Sequence, residues 1–200
     1  MTTRSARMRR VLEDLELPEG VRAEIILGEV VLTLSSDLTT NLIVASLIDQ
    51  IPREAWDCWT RRDVSCWGDD SRLQPDLVVF ERALSEAGSP TIVVEVVSGI
   101  SLFRDHHTKR GLYAGAGIPA YLVVDPVRAV CVLMTEPSRA TLTGVPDYLS
   151  ERTSLFGEAV PVDPMGVSLV TADFPRRHSG RAVKSISSST RPRSSGSRSL

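Results

Sequence analysis

Apolar positions along this chain follow two rhythms, one continuous and one spaced every three to four residues. Asp76 to Phe80 (DLVVF) and Thr91 to Val97 (TIVVEVV) are apolar apart from one acid each, the pattern of strands covered on both faces. Ile118 to Asp125 and Val130 to Thr135 predict two further strands, joined by a turn around Asp125-Pro126-Val127-Arg128. Upstream, VRAEIILGEVVLTL places two β-rich runs around Leu27-Gly28-Glu29, a predicted hairpin with Glu24 near the middle of its first strand. Helical spacing predicts a short helix over Arg4 to Leu15, ended by Pro18 and Gly20. It predicts a second over Asp37 to Ile51, with Asp37 as N-cap and Pro52 beyond, and a third over Leu102 to Ala116, weakened by Gly111 and Gly115. Residues 56 to 67 alternate weakly and hold all three tryptophans, giving one or two short strands. After Thr135 the signal fades, leaving turns and one more strand pair around Ser154 to Phe156 and Val167 to Val170. From Pro175 onward Ser, Arg, Gly and Pro replace apolar residues, which predicts a disordered tail.

Two hundred residues with 42% apolar content suit one domain over residues 1 to 174, followed by the tail at 175 to 200. The net charge of −2 hides an asymmetry. Residues 176 to 200 carry six Arg, one Lys and no acid, and removing that +7 leaves −9 on the rest. A body so acidic does not hold nucleic acid by overall charge, so such binding needs a local patch or the tail. Three cysteines without a CxxC pair fit a reducing compartment, and structural zinc is not expected. No apolar run approaches the roughly 20 residues a membrane span needs, and MTTRSARMRR lacks a signal-peptide apolar core; the expectation is a cytoplasmic protein.

The acids in the apolar runs carry the candidate chemistry. An ionised group among Val side chains must be paired or metal-bound, and in TIVVEVV either strand face places Glu95 among valines. Asp76 starts a similar strand, and if the two strands pair, both carboxylates converge on one hard divalent cation such as Mg²⁺, which takes oxygen ligands. On the third helix Asp105, Lys109, Leu112, Tyr113 and Ala116 share a broad face, which turns Lys109 toward the sheet and Glu95. An ammonium there orients a nucleophile and stabilises charge developing on a scissile phosphate. Plainer readings stand beside these. Lys109 with Asp105 also reads as an exposed i,i+4 pair, Asp76 as a turn residue after Pro75, and Glu24 as a solvent-facing hairpin residue; Asp125 is best explained by its turn. Gly115-Ala116-Gly117-Ile118-Pro119-Ala120 matches GxGxxA but follows a helix and precedes a strand, the reverse of a dinucleotide fingerprint. His106 and His107 diverge on a helix and read as surface residues, and the tryptophans read as core or interface.

The order GEVV after Glu24, then QPDLVVF, IVVEVVS and RDHHTKRGLYAGAGIPAYLVVDP, resembles the Uma-type putative restriction endonuclease family of bacteria, of the PD-(D/E)XK nuclease-like fold, over residues 8 to 174. The resemblance implies an α/β (α+β) architecture, a restriction-endonuclease-like mixed β-sheet flanked by helices. It implies a metal site of Asp76 and Glu95 joined by Glu24, with Mg²⁺ or Mn²⁺ as cofactor. The lysine of the usual E-x-K would stand at Val97, and the resemblance places it on the following helix, at Lys109. Asp105 and Tyr113 match other recurrent positions. The chain departs from the pattern at Thr40, where a His is frequent, and at Ala120-Tyr121-Leu122, where E-Y-W is usual.

The sequence therefore leads to an expected metal-dependent endonuclease cutting DNA, with Asp76, Glu95 and Lys109 catalytic and Glu24, Asp76 and Glu95 on the metal. The alternative is a catalytically inactive nuclease-fold module serving self-association or partner binding, and a homodimer stays open under both. A third reading gives the basic tail a salt-sensitive grip on nucleic acid.

Overall fold

The continuous apolar runs become the middle of one six-stranded sheet. The computed structural model describes residues 7–8, 10–12, 14–34, 37–66, 71–84, 88–97 and 104–177. Its elements in chain order are β1 (Val21–Ile26), β2 (Glu29–Leu34), α1 (Leu38–Gln50), β3 (Trp56–Trp59), β4 (Val64–Ser65), β5 (Arg72–Leu73), β6 (Leu77–Glu81), β7 (Ile92–Val96), α2 (Arg110–Ala116), β8 (Ala120–Asp125), β9 (Val130–Ser138), β10 (Asp147–Leu155), β11 (Ala159–Val162) and β12 (Val167–Val170). The large sheet runs β10-β9-β8-β7-β6-β3. It is mixed, because β7 and β8 pair in parallel across the helical crossover while every other neighbour is antiparallel.

Both faces of this sheet are covered, which is why β7 and β8 are buried at every position. On one face Leu77, Val79, Ile92, Val94, Leu122 and Val124 meet Ile43, Val44 and Leu47 of α1, with Val160 and Leu169 of the β11–β12 hairpin beside them. On the other, Val78, Val93, Tyr121, Val123 and Met134 meet Leu112 and Tyr113 of α2 and Ile26 and Leu73 of a second, antiparallel sheet of order β2-β1-β5-β4. The functional candidates lie between the large sheet and this second cover.

Local chemistry accounts for most boundaries. Leu27 and Gly28 both take positive φ, 52° and 79°, as a two-residue hairpin turn with the right twist requires. The Leu27 N–H donates to Ser71 Oγ at 2.9 Å, tying that turn to the chain entering β5. Asp37 caps α1, its Oδ1 accepting from Thr40 N at 2.9 Å. Arg177 reaches the same carboxylate from the far end of the chain, at 2.6 Å, and also donates to the Val97 carbonyl at 2.7 Å. Burial alone would raise the Asp37 pKa, but the Thr40 and Arg177 hydrogen bonds hold it below the ordinary value. Asp37→Ala should therefore cost about 1 kcal/mol in urea denaturation at pH 7. A folded-state pKa below the unfolded one stabilises above the unfolded value, near 4, so this difference should shrink as pH falls through the folded pKa.

Several expectations need correction. The N-terminal helix is described at residues 7, 8 and 10–12 and has ended by residue 14; the remainder of its expected span lies outside the described residues. The third helix is α-helical only over Arg110–Ala116. Before it, Arg104–Lys109 forms a π-helical turn, and residues 102 and 103 lie outside the description. The strand ending near Thr135 continues to Ser138 and pairs with β10, a nine-residue strand whose sequence DYLSERTSL hides it, because alternate side chains at this sheet edge face solvent. Val167–Val170 pairs with β11, not with residues near Ser154. The tail expected to be disordered from Pro175 onward is described as far as Arg177, which is bonded to Asp37 and Val97; the rest of it lies outside the described residues. Trp56 packs against the core and Trp59 is half exposed, while Trp67 is not described. The three cysteines are unpaired. No described helix is long and apolar enough to cross a membrane.

Candidate functional site

Strand register brings the first two acids together. The β6–β7 ladder pairs Leu77 with Val94 and Val78 with Val93, so one further step sets Asp76 beside Glu95. Side chains alternate along a strand, which places both carboxylates on the face that Val78 and Val93 share, under the second cover. Both are buried, Asp76 with 6% and Glu95 with 1% of its surface exposed. Asp76 Oδ2 accepts the Val96 N–H at 2.8 Å, so its carboxylate is fastened to the neighbouring strand one residue from Glu95. This role goes well beyond a turn after Pro75.

The cover supplies two more groups. Arg22 and Glu24 alternate along β1 and so share one face. Glu24 is 1% exposed; its Oε1 accepts from Gln74 N at 2.8 Å and from Lys109 Nζ at 3.0 Å. Lys109 Nζ also donates to Glu95 Oε1 at 2.7 Å, and only 2% of the lysine is exposed. An exposed pair with Asp105 is therefore excluded for Lys109, and a solvent-facing position for Glu24. The π-helical turn that ends at Lys109 widens the helix where the lysine enters, a geometry frequent at functional sites. Sequence reasoning based on a 3.6-residue period could not show that turn.

Arg22 is the member the sequence reading missed. Its Nη1 donates to Asp76 Oδ1 at 2.9 Å and to the Gln74 carbonyl at 3.3 Å, while Nε holds Thr33 Oγ1 at 3.1 Å. Burial alone would lower its pKa, but Asp76 foremost, then Glu95 and Glu24, raises it above the ordinary value, so it stays a cation. Its signal was available as the period-two spacing to Glu24 in VRAEII. Tyr113 donates its hydroxyl to Glu95 Oε1 at 3.0 Å. Burial, and then the Glu95 charge, hold Tyr113 well above the usual phenol range, so it acts as a fixed donor. Burial pushes the neighbouring Cys66 thiol up to about 12. Tyr113→Phe, which removes one bond to a buried carboxylate, is expected to cost about 2 kcal/mol in urea denaturation.

Among the described residues the cluster thus holds three carboxylates, Glu24, Asp76 and Glu95, against two cations, Arg22 and Lys109, with one negative charge in excess by formal count. Such an excess in a low-dielectric interior attracts a further cation. Among the described residues no three His, Cys, Asp or Glu side chains are gathered closely enough to hold a metal as they stand, because Lys109 stands between Glu24 and Glu95. The donor set itself is all hard oxygen, which suits Mg²⁺ or Mn²⁺.

Other candidates fall elsewhere. Asp125 Oδ1 accepts from Val127 N at 2.9 Å and Arg128 N at 3.0 Å, the turn role expected of it. Val97, where an E-x-K lysine would stand, is buried among apolar neighbours. Thr40 is buried near the start of α1, where its hydroxyl accepts from Arg177 Nη2 at 3.2 Å. Gly117 ends α2 at φ 76°, so the glycine-rich stretch is a helix cap. His107 is exposed, and the Asp105 side chain lies outside the description.

Comparisons with known proteins bear on the family and the fold. A family model described as a putative restriction endonuclease matches residues 11–164. The crystal structure of a putative nuclease belonging to DUF820, from Anabaena variabilis, superposes with a TM-score of 0.62 at 14% identity, covering 87% of this chain and 97% of that one. The fold is accordingly a nuclease-like mixed α+β architecture. Curated proteins yield no match.

Proposed function

From the premise that this chain belongs to the Uma2 family of putative restriction endonucleases, we propose that it is a divalent-metal-dependent nuclease cutting DNA phosphodiester bonds at the Asp76–Glu95–Lys109 cluster. The observation that carries this reading is the meeting of two strand carboxylates from opposed positions, a third carboxylate and a buried lysine in a cluster with excess negative charge. Mg²⁺ or Mn²⁺ held by Asp76, Glu95 and Glu24 would supply Lewis-acid polarisation of the scissile phosphate. The chain's own residues do the rest. Arg22 and the Val96 N–H fix the Asp76 carboxylate, and Tyr113 fixes that of Glu95. Lys109, at the meeting point, orients the attacking water and stabilises the negative charge that gathers on phosphate oxygens. The unpaired cysteines suit action in a reducing cytoplasm.

A second reading is that of an inactive self-association module. It is favoured by the closed state of the cluster, in which each of the three carboxylates touches a cation, and by Leu32 and Leu34, which are 55% and 79% exposed on the edge strand β2. Supercoiled plasmid incubated with purified protein and Mn²⁺ or Mg²⁺ separates the two. The nuclease reading expects nicked and linear products that EDTA abolishes. Intact plasmid at every ion concentration would leave the second reading.

A further inference from the structure

A groove opens beside the buried cluster, on the far side of Arg22 and Gln74. The groove, of about 320 Å³, is lined by Arg22, Arg61, Asp63, Arg72 and Gln74, with Val21 among its apolar walls. Two of its residues also hold the acids: Arg22 binds the Asp76 carboxylate, and the Gln74 N–H binds that of Glu24. The groove is thus one side chain removed from the proposed reaction centre. Among the described lining residues are three arginines and one acid, in a body whose first 175 residues carry −9. Two of these arginines are committed, Arg22 to Asp76 and Arg72 to Asp63 at 2.5 Å. Arg61 forms no ion pair or hydrogen bond within the described residues and is exposed, its backbone held at a φ of 56°. Beside it Arg62 stacks 5.2 Å from the ring centre of the half-exposed Trp59 and 4.7 Å from that of Phe80. An arginine laid on aromatic faces is immobilised while its charge remains available.

We propose that this groove is the track along which a nucleic-acid backbone reaches the acid cluster, with the Arg61 guanidinium clamping a phosphate adjacent to the one to be cut. The proposal rests on the nuclease reading for its purpose, but the binding it describes needs no metal and no cleavage. A guanidinium offers a phosphate two parallel donors, and each phosphate so neutralised releases counterions from the duplex. Gln74, whose Nε2 donates to Asp63 Oδ1 at 3.3 Å, borders the same groove and keeps the approach polar.

Anisotropy of a fluorescein-labelled 20-base-pair duplex in EDTA tests it, using the full chain, Arg61→Ala, Arg61→Glu, Arg61→Lys and, as a control, Arg53→Ala, whose exposed side chain pairs with Asp49 on α1. Arg61→Glu is expected to weaken binding at least tenfold and Arg61→Lys to recover most of it. Arg61→Ala should reduce the slope of log K against log salt by about one, with Arg53→Ala unchanged. Unchanged affinity and slope in every Arg61 variant would overturn the groove, even if the wild type cuts plasmid. Arg61-dependent binding without cleavage under any ion would sustain the groove while the nuclease reading falls. Inorganic phosphate serves as the small-anion probe. If it raises the wild-type melting temperature through Arg61 while duplex affinity ignores that residue, the groove is a free-anion site and the proposal is overturned.

Discussion

Lys109→Met is expected to lower stability by at least about 3 kcal/mol when measured in EDTA. The lysine touches both Glu24 and Glu95, and all three side chains are at least 98% buried. Removing one partner of a buried pair leaves an uncompensated charge, which typically costs 3–5 kcal/mol, far more than an exposed pair is worth. Here the imbalance grows from one excess negative charge to two. Millimolar Mn²⁺ should restore part of the loss, because a divalent ion can take the place the ammonium leaves, and binding to the folded state alone adds RT ln(1 + [L]/Kd). Urea denaturation with and without Mn²⁺ checks both points. A loss under 1 kcal/mol would mean that the lysine is not held between the two acids.

Glu95→Gln should behave in the opposite way. It removes the excess negative charge, and the amide oxygen still accepts from Lys109 and Tyr113, so metal-free stability is expected to stay within about 1 kcal/mol of wild type. Cleavage should nevertheless fall by a hundredfold or more, about 2.7 kcal/mol of transition-state stabilisation, because a neutral amide is a poor ligand for a hard divalent ion. Plasmid nicking rates paired with urea denaturation test this. A variant that cuts at the wild-type rate would remove Glu95 from the chemistry; one that unfolds would make its role structural. The contrast between stable but inactive Glu95→Gln and unstable Lys109→Met is the signature of a cluster built with one charge too many.

How much of this was legible depended on whether a residue contradicted its surroundings. Glu95 did so within TIVVEVV, and no exposed strand face offered it an escape. Lys109 was legible only once its helix was assumed to cover the sheet. The structure adds that a π-helical turn carries it, which no 3.6-residue pattern could reveal. Glu24 agreed with its surroundings, because an acid on a half-covered hairpin is ordinarily in water. Only the docking of β1 over the large sheet buries it, and that contact joins segments fifty residues apart. Arg22 was passed over for the same reason. The central strands were readable because burial on both faces leaves an unbroken apolar run. Strand β10 was not, since an edge strand with solvent on alternate positions resembles a loop in composition.

The most direct test of the metal cluster is anomalous diffraction from crystals soaked in Mn²⁺. A peak is expected within about 2.5 Å of carboxylate oxygens from both Asp76 and Glu95, with Lys109 Nζ drawn away from Glu95. Absence of a peak at saturating Mn²⁺, with the Lys109 bonds to Glu24 and Glu95 intact, would contradict it and leave the cluster a buried salt bridge.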